Sequence, residues 1–267
     1  MLRRVKVLRA YPTLLRVGFA GAVAYRAEML VWMLTMTMPL VSLALWSAVS
    51  AAAPVGRFGQ RDFVAYFLAT LVVRQLTGSW VVWELIQEIK SGALASRLLK
   101  PIHPLVAYSA ENIAAIPMRA LLAIPMAIIG IVSGGGKLPH DPPLVAALFL
   151  SLFAAWFITF CVMAMIGTLS FFMESSYSIF EIWLACFMLL SGYLLPLELF
   201  PEWVRRVTYA LPFRYMLSFP VEILIGLASP AEIARGLLVQ GSYCVGSCLA
   251  AIVVWRVGVR RFGAFGG

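Results

Sequence analysis

The sequence predicts an all-α integral membrane protein with six transmembrane helices, and three observations predict it. The first is composition: of 267 residues 62% are hydrophobic and only 12% charged, and the mean hydropathy is +0.92. A globular domain is about half apolar and about a quarter charged, so one water-soluble core cannot take up this excess. The second is length: several apolar runs reach the roughly 20 residues that a helix needs to cross the hydrocarbon layer. The third is where the charge lies. The net charge of +9 sits beside the apolar runs, which points to the headgroups of membrane lipids and away from nucleic acid.

The elements follow in order within a single transmembrane domain, 1–267. Residues 1–26 are basic, and a Tyr-Pro break with Arg16 interrupts any apolar stretch, so they do not read as a cleavable signal. Residues 5–24 are expected to form a helix lying on the inner membrane surface, with a frayed basic tail as the alternative. The first span, 29–52, becomes free of charge from its first residue onward. The second, 63–83, carries only Arg74, and the third, 105–132, carries Glu111 and Arg119. The fourth, 144–173, is uncharged and longer than necessary, so it tilts or extends beyond the bilayer. The fifth, 176–197, follows a short break at Glu174, and the sixth is 236–255.

Lys and Arg near the span ends set the orientation. With six crossings the N-terminal cluster, the 84–104 loop and the C-terminal tail share one side and hold twelve basic residues, against seven on the other. Both termini and the 84–104 loop are therefore expected in the cytoplasm, in a multi-pass protein of the inner (plasma) membrane.

Two connections are unusual. Residues 84–104 read ELIQEIKSGALASRLLKPIHP. Residues 84–89 extend the second span as an amphipathic turn or two, and Ser91-Gly92 breaks it. A second short helix over 93–99 follows, and Pro101 and Pro104 stop it and aim the chain into the third span. Leu94, Leu98 and Leu99 would be exposed on this elbow unless something covered them, which marks a docking element. The segment 198–230 is too charged to span and too aromatic to be a solvated loop, and Pro201, Pro212 and Pro220 divide it into short pieces. Such pieces either dip into the outer leaflet and return, or lie along the interface.

No catalytic constellation is present. The histidines, His103 and His140, fall on opposite sides in this topology, and GGGK at 134–137 lacks the Gly and the Ser or Thr that a phosphate loop requires. Catalytic and metal residues are thus expected to be none. Cys161, Cys186, Cys244 and Cys248 lie in apolar runs, where a thiol packs as a small hydrophobe. Arg74, Glu111 and Arg119 are the remaining polar signal, each costing about 2.5–3.5 kcal/mol inside the membrane on insertion scales. They read as structural pairing between helices or as part of a substrate path.

Four stretches carry a resemblance: AYRAEMLVWML, LTGSWVVWELIQEIKSGALASRLLKPIHP, SGYLLPLELFPEW with the region before it, and LPFRYMLSFPVEILIG. Together, and in order, they resemble the type-2 ATP-binding-cassette (ABC) exporter permeases, nearest to the branch for antibiotics, viologens and other natural products. The resemblance implies that the 84–104 elbow is a coupling helix docked in a separate ATPase. Position by position, that role falls on Glu88, Lys90, Ser91, Gly92, Leu94, Arg97, Leu98 and Lys100. It also implies an N-terminal interfacial helix, a re-entrant 198–230 hairpin, and a second permease, identical or related. Two ATPase copies would hold ATP and Mg, with no cofactor on this chain. The cargo would be hydrophobic or amphipathic, moved outward. A secondary transporter would favour inverted repeats with helices broken at midplane, and a lipid-modifying enzyme would need convergent His, Asp or Glu. The sequence has no convincing repeat, and its acidic residues are dispersed.

Overall fold

The computed structural model describes residues 2–25, 27, 31, 37–134 and 141–262, and among these it is all-helical apart from one isolated bridge between Val55 and Phe58. Helix α1, Leu2–Ala24, covers the predicted surface helix. Then come α2, Met38–Ser50, α3, Gln60–Thr77, α4, Val81–Lys90, and the short α5, Leu94–Leu98. Helices α6, Pro104–Ala114, and α7, Ile116–Gly134, make the third predicted span. Helix α8 is Pro142–Thr168 and α9 is Ser176–Leu190. Three short helices occupy the predicted hairpin: α10, Glu202–Tyr209, α11, Pro212–Met216, and α12, Ser218–Leu224. Helix α13, Pro230–Phe262, closes the chain.

Among the described residues three segments are long and apolar enough to cross a membrane: Gln60–Lys90 (α3 with α4), Pro142–Phe171 and Pro230–Phe262. A fourth is Pro104–Leu121 with Ala123–Gly130, a pair bent by 47°. Pro125 has no N–H to offer the Leu121 carbonyl, which is where a helix of this sequence should bend. The other two expected spans are shorter than predicted among the described residues. Helix α2, with 13 residues, spans only about 20 Å at the usual helical rise, and most of 29–36, where the span should begin, lies outside the described residues. Helix α9 stops at Leu190 instead of 197 because Gly192 takes φ +86, a conformation that L side chains avoid. A side chain there would also strike the Tyr66 hydroxyl, which donates to the Gly192 carbonyl at 2.7 Å.

Helix α3 packs along α7 and α2, α13 along α8, α4 along α8, and α1 along α6. The ends of the bundle are cross-linked separately. At one end Arg57 pairs with Glu198, and Trp46 Nε1 donates to the Leu194 carbonyl at 3.1 Å. At the other, Lys90 Nζ donates to the Glu174 carbonyl at 2.8 Å, and the His103 ring lies 5.6 Å from Trp255. The 53–59 loop and the hairpin therefore share one end, and the 84–104 elbow, the Glu174 turn and the end of α13 share the other.

The prolines punctuate the hairpin as the sequence predicts: Pro201 precedes α10, Pro212 opens α11, and Pro220 lies in the first turn of α12. Tyr215, Met216, Leu217, Phe219, Val221 and Ile223 are buried in the core. Inside it Arg214 Nη2 donates to Glu222 Oε2 at 2.6 Å, and Gln240 Nε2 bridges the Ser151 and Tyr215 carbonyls at 3.0 and 2.9 Å. Gln240 thereby ties the hairpin to α13 and α8, and the Arg214–Glu222 pair braces it internally. Gly236 and Gly258 of α13 lie against Phe219 and Phe171, which a side chain at either position would strike, whereas Gly241 and Gly246 have nothing within 4 Å among the described residues.

Candidate functional site

The elbow is built by a helix that runs out. Helix α4 ends at Lys90, and Gly92 takes φ +76, which reverses the chain without the penalty a Cβ would bring. The five-residue α5 follows, and Leu94 and Leu98, one turn apart, fall on the same face of it. That face turns inward. Leu94 is 0% exposed, in an apolar cluster with Leu85, Ile89 and Tyr108, and Leu98 packs against the same cluster. The expectation that Leu94 lies open is corrected here, since its own chain buries it; Leu98 is half-buried. Leu99, just past the helix, is 88% exposed. Around it Ser91, Gly92, Ala95, Ser96, Lys100 and Lys90 are exposed as well, which leaves a low, small-residue surface with one projecting leucine.

Arg97 fixes the elbow to both flanking helices. Its Nε and Nη2 each reach Glu88 Oε1 of α4 at 2.9 Å. Its Nη1 and Nη2 donate to Glu111 Oε1 and Oε2 of α6 at 2.8 and 3.3 Å. The guanidinium lies 4.3 Å from the centre of the Tyr108 ring, and the Tyr108 hydroxyl donates to Glu88 Oε2 at 2.6 Å. A planar fork is the side chain that can satisfy two carboxylates and stack at once. Burial by itself would lower the Arg97 pKa, but the bonds to Glu111 and Glu88 outweigh it and hold the group above the ordinary arginine range. Glu88 and Arg97 were expected to face a partner, and Glu111 to pair between helices or to line a substrate path. The fold instead joins the three, because the start of α6 returns beside the elbow. Tyr108 was missed, although it stands three residues before Glu111 and so shares its helical face.

Deeper in the bundle both polar spans are broken. Helix α3 ends at Thr77, and α4 starts at Val81 after Gly78, Ser79 and Trp80; α6 and α7 are separated by a turn at Ala115. Helix ends leave carbonyls without intrahelical partners. Arg119, 2% exposed, takes one from each break: Nη1 donates to the Gly78 carbonyl at 2.6 Å and Nη2 to the Asn112 carbonyl at 2.9 Å. The buried cation and the negative ends of two helices stabilise one another. Arg119 is thus a staple between the second and third predicted spans, not a lining of an open path.

Replacing Arg119 by Leu should leave both carbonyls unpaired, at about 1–3 kcal/mol for each group. The expected result is a clear fall in the melting temperature of the purified protein, with Lys restoring only part of it. Unchanged melting in the Leu variant would show that the two bonds do not hold the breaks together.

Arg74 behaves differently. None of the ion pairs or hydrogen bonds among the described residues includes its guanidinium, which lies 4.9 Å from the centre of the Phe187 ring. It lines a cavity of about 270 Å³ beside the break, walled by Trp80 and Trp83 and, from α9, by Tyr177, Phe180 and Phe187. Of the three intramembrane charges, the structure therefore brings Glu111 to the elbow, Arg119 to the helix breaks and Arg74 to a cavity. A family model described as "ABC-2 family transporter protein" matches residues 23–266. No curated protein matches the chain.

Proposed function

The chain belongs to the ABC-2 family of transporter proteins, and from that premise we propose that it is the permease subunit of an ABC exporter. It crosses a bacterial inner membrane six times with both termini in the cytoplasm, Met38–Ser50 and Ser176–Leu190 belonging to the first and fifth crossings. Two copies of a separate ATPase supply ATP hydrolysis with Mg, and a second permease, identical or related, completes the path. The cargo is hydrophobic or amphipathic and moves outward. The observation that carries this reading is the elbow. It ends in an exposed leucine amid small residues, yet Arg97 ties it to the helices on both sides. A surface so exposed and so firmly anchored can receive a push and pass it into two spans.

The purified chain should hydrolyse no ATP by itself and should co-purify with its cognate ATPase as an active complex. Robust hydrolysis by the chain alone would sink the reading. In a variant whose four native cysteines are replaced by Ala, cysteine at Ala53 should react with an impermeant thiol reagent outside the cell and cysteine at Ser96 should not. The reverse pattern would put the elbow beyond any cytoplasmic ATPase.

A further inference from the structure

The cavity beside Arg74 holds a cation with no carboxylate partner among the described residues. Two arginines flank Gly78: Nη1 of Arg74 and Nη1 of Arg119 lie 3.6 and 3.7 Å from where its side chain would begin. Arg119 has two carbonyl partners. Arg74, mid-way along Gln60–Lys90, has an aromatic face and a cavity. An arginine at that depth is expensive and is normally paired with an anion or opened to a polar path. The remaining walls suit a flat apolar body: the Trp83 ring lies 4.9 Å from Tyr177 and 5.2 Å from Phe180, and Phe187 lies 6.0 Å from Tyr193. A cation beside aromatic walls is the pattern of a small-molecule pocket in which a few polar groups orient an apolar ligand. We propose that this cavity takes one end of an amphipathic organic anion, its carboxylate, sulfonate or phosphate on Arg74 and its apolar body among Trp83, Tyr177 and Phe180. Taken with the exporter reading, on which this step rests, the cargo is an acidic amphiphile.

The test uses the full chain in phosphatidylcholine nanodiscs, with 1-pyrenebutyrate as probe and energy transfer from tryptophan as signal, corrected for partition into empty discs. Pyrenebutyrate should bind saturably and more tightly than the neutral 1-pyrenebutanol. R74L should weaken pyrenebutyrate about tenfold or more, the effect of losing a charge-assisted bond, and leave pyrenebutanol unchanged. R74K should retain part of the affinity. Equal binding of the two probes by the unmodified chain would overturn the proposal without any variant. So would equal loss of both probes in R74L. Discs containing phosphatidylglycerol separate two sources of the acidic group: competitive loss of pyrenebutyrate identifies a lipid headgroup, and undiminished binding a soluble amphiphile. No arm requires the ATPase, so failure here leaves the exporter reading standing, and failure of ATPase co-purification leaves this site standing.

Discussion

Leu99→Asp should strip the ATPase from the permease and abolish transport while leaving the permease itself intact. Leu99 is 88% exposed and belongs to neither apolar cluster among the described residues, so the fold has little reason to notice the change. If an ATPase groove covers it, full burial of a leucine contributes about 1.5–3 kcal/mol, and a carboxylate in its place adds a desolvation cost of its own. At about 1.4 kcal/mol per decade, that is roughly a tenfold to hundredfold or greater loss of affinity. The measurement is recovery of the ATPase on affinity-purified permease, with transport into inverted vesicles as a second readout. Leu94→Asp is the contrasting control. That side chain is fully buried against Leu85, Ile89 and Tyr108, so its replacement should reduce the yield of folded permease itself. Full ATPase recovery and transport with Leu99→Asp would remove this face of the elbow from the docking surface.

Arg97→Ala should have the opposite profile: the ATPase stays bound, ATP is still hydrolysed, and transport per ATP falls about tenfold or more. The proposed docking face around Leu99 is unaltered, but Glu88 and Glu111 lose their common partner and α5 its tie to α4 and α6. Hydrogen bonds to charged groups contribute about 1.5–3 kcal/mol when buried. These side chains are partly exposed, so the lower part of that range applies to stability. The larger effect is mechanical, because a loosened elbow absorbs the ATPase's movement instead of passing it on. Arg97→Lys should rescue poorly, since an ammonium cannot grip two carboxylates and cover the Tyr108 ring as a guanidinium does. Undiminished transport per ATP in Arg97→Ala would show that this cluster braces nothing that matters to coupling. Loss of the ATPase along with transport would instead place Arg97 in docking.

Much of the elbow was legible before any tertiary contact was known. Ser91-Gly92, Pro101 and Pro104 are local signals, and they mark where α4 ends, where α5 lies and where α6 begins, because the backbone preferences of Gly and Pro act over one or two residues. The prolines of the hairpin were readable for the same reason. The direction of α5 was not. Helical periodicity says that Leu94 and Leu98 share a face; it does not say whether water, a partner or the chain itself lies against that face. A helix of five residues carries too short a pattern to decide. The shortened α9 has a similar cause: the apolar run continues past Leu190, so hydropathy alone carried the span to 197, whereas a close approach by Tyr66, far off in sequence, suits Gly192 to a turn.

The sequence by itself determined the solvent and the parts. Its apolar excess requires lipid, and its Gly and Pro mark where one helix ends and the next begins. Those properties are sums over neighbouring residues, so no long-range contact can reverse them. Only the tertiary structure decided what each buried charge does. Arg97 meets Glu111 from across a loop, Arg119 reaches Gly78 from another predicted span, and Arg74 faces aromatic rings of α9. An arginine in an apolar run announces only that it needs something. Whether that is a carboxylate, a helix-end carbonyl or a ligand depends on which backbone breaks and side chains folding brings within about 3 Å, the reach of a hydrogen bond.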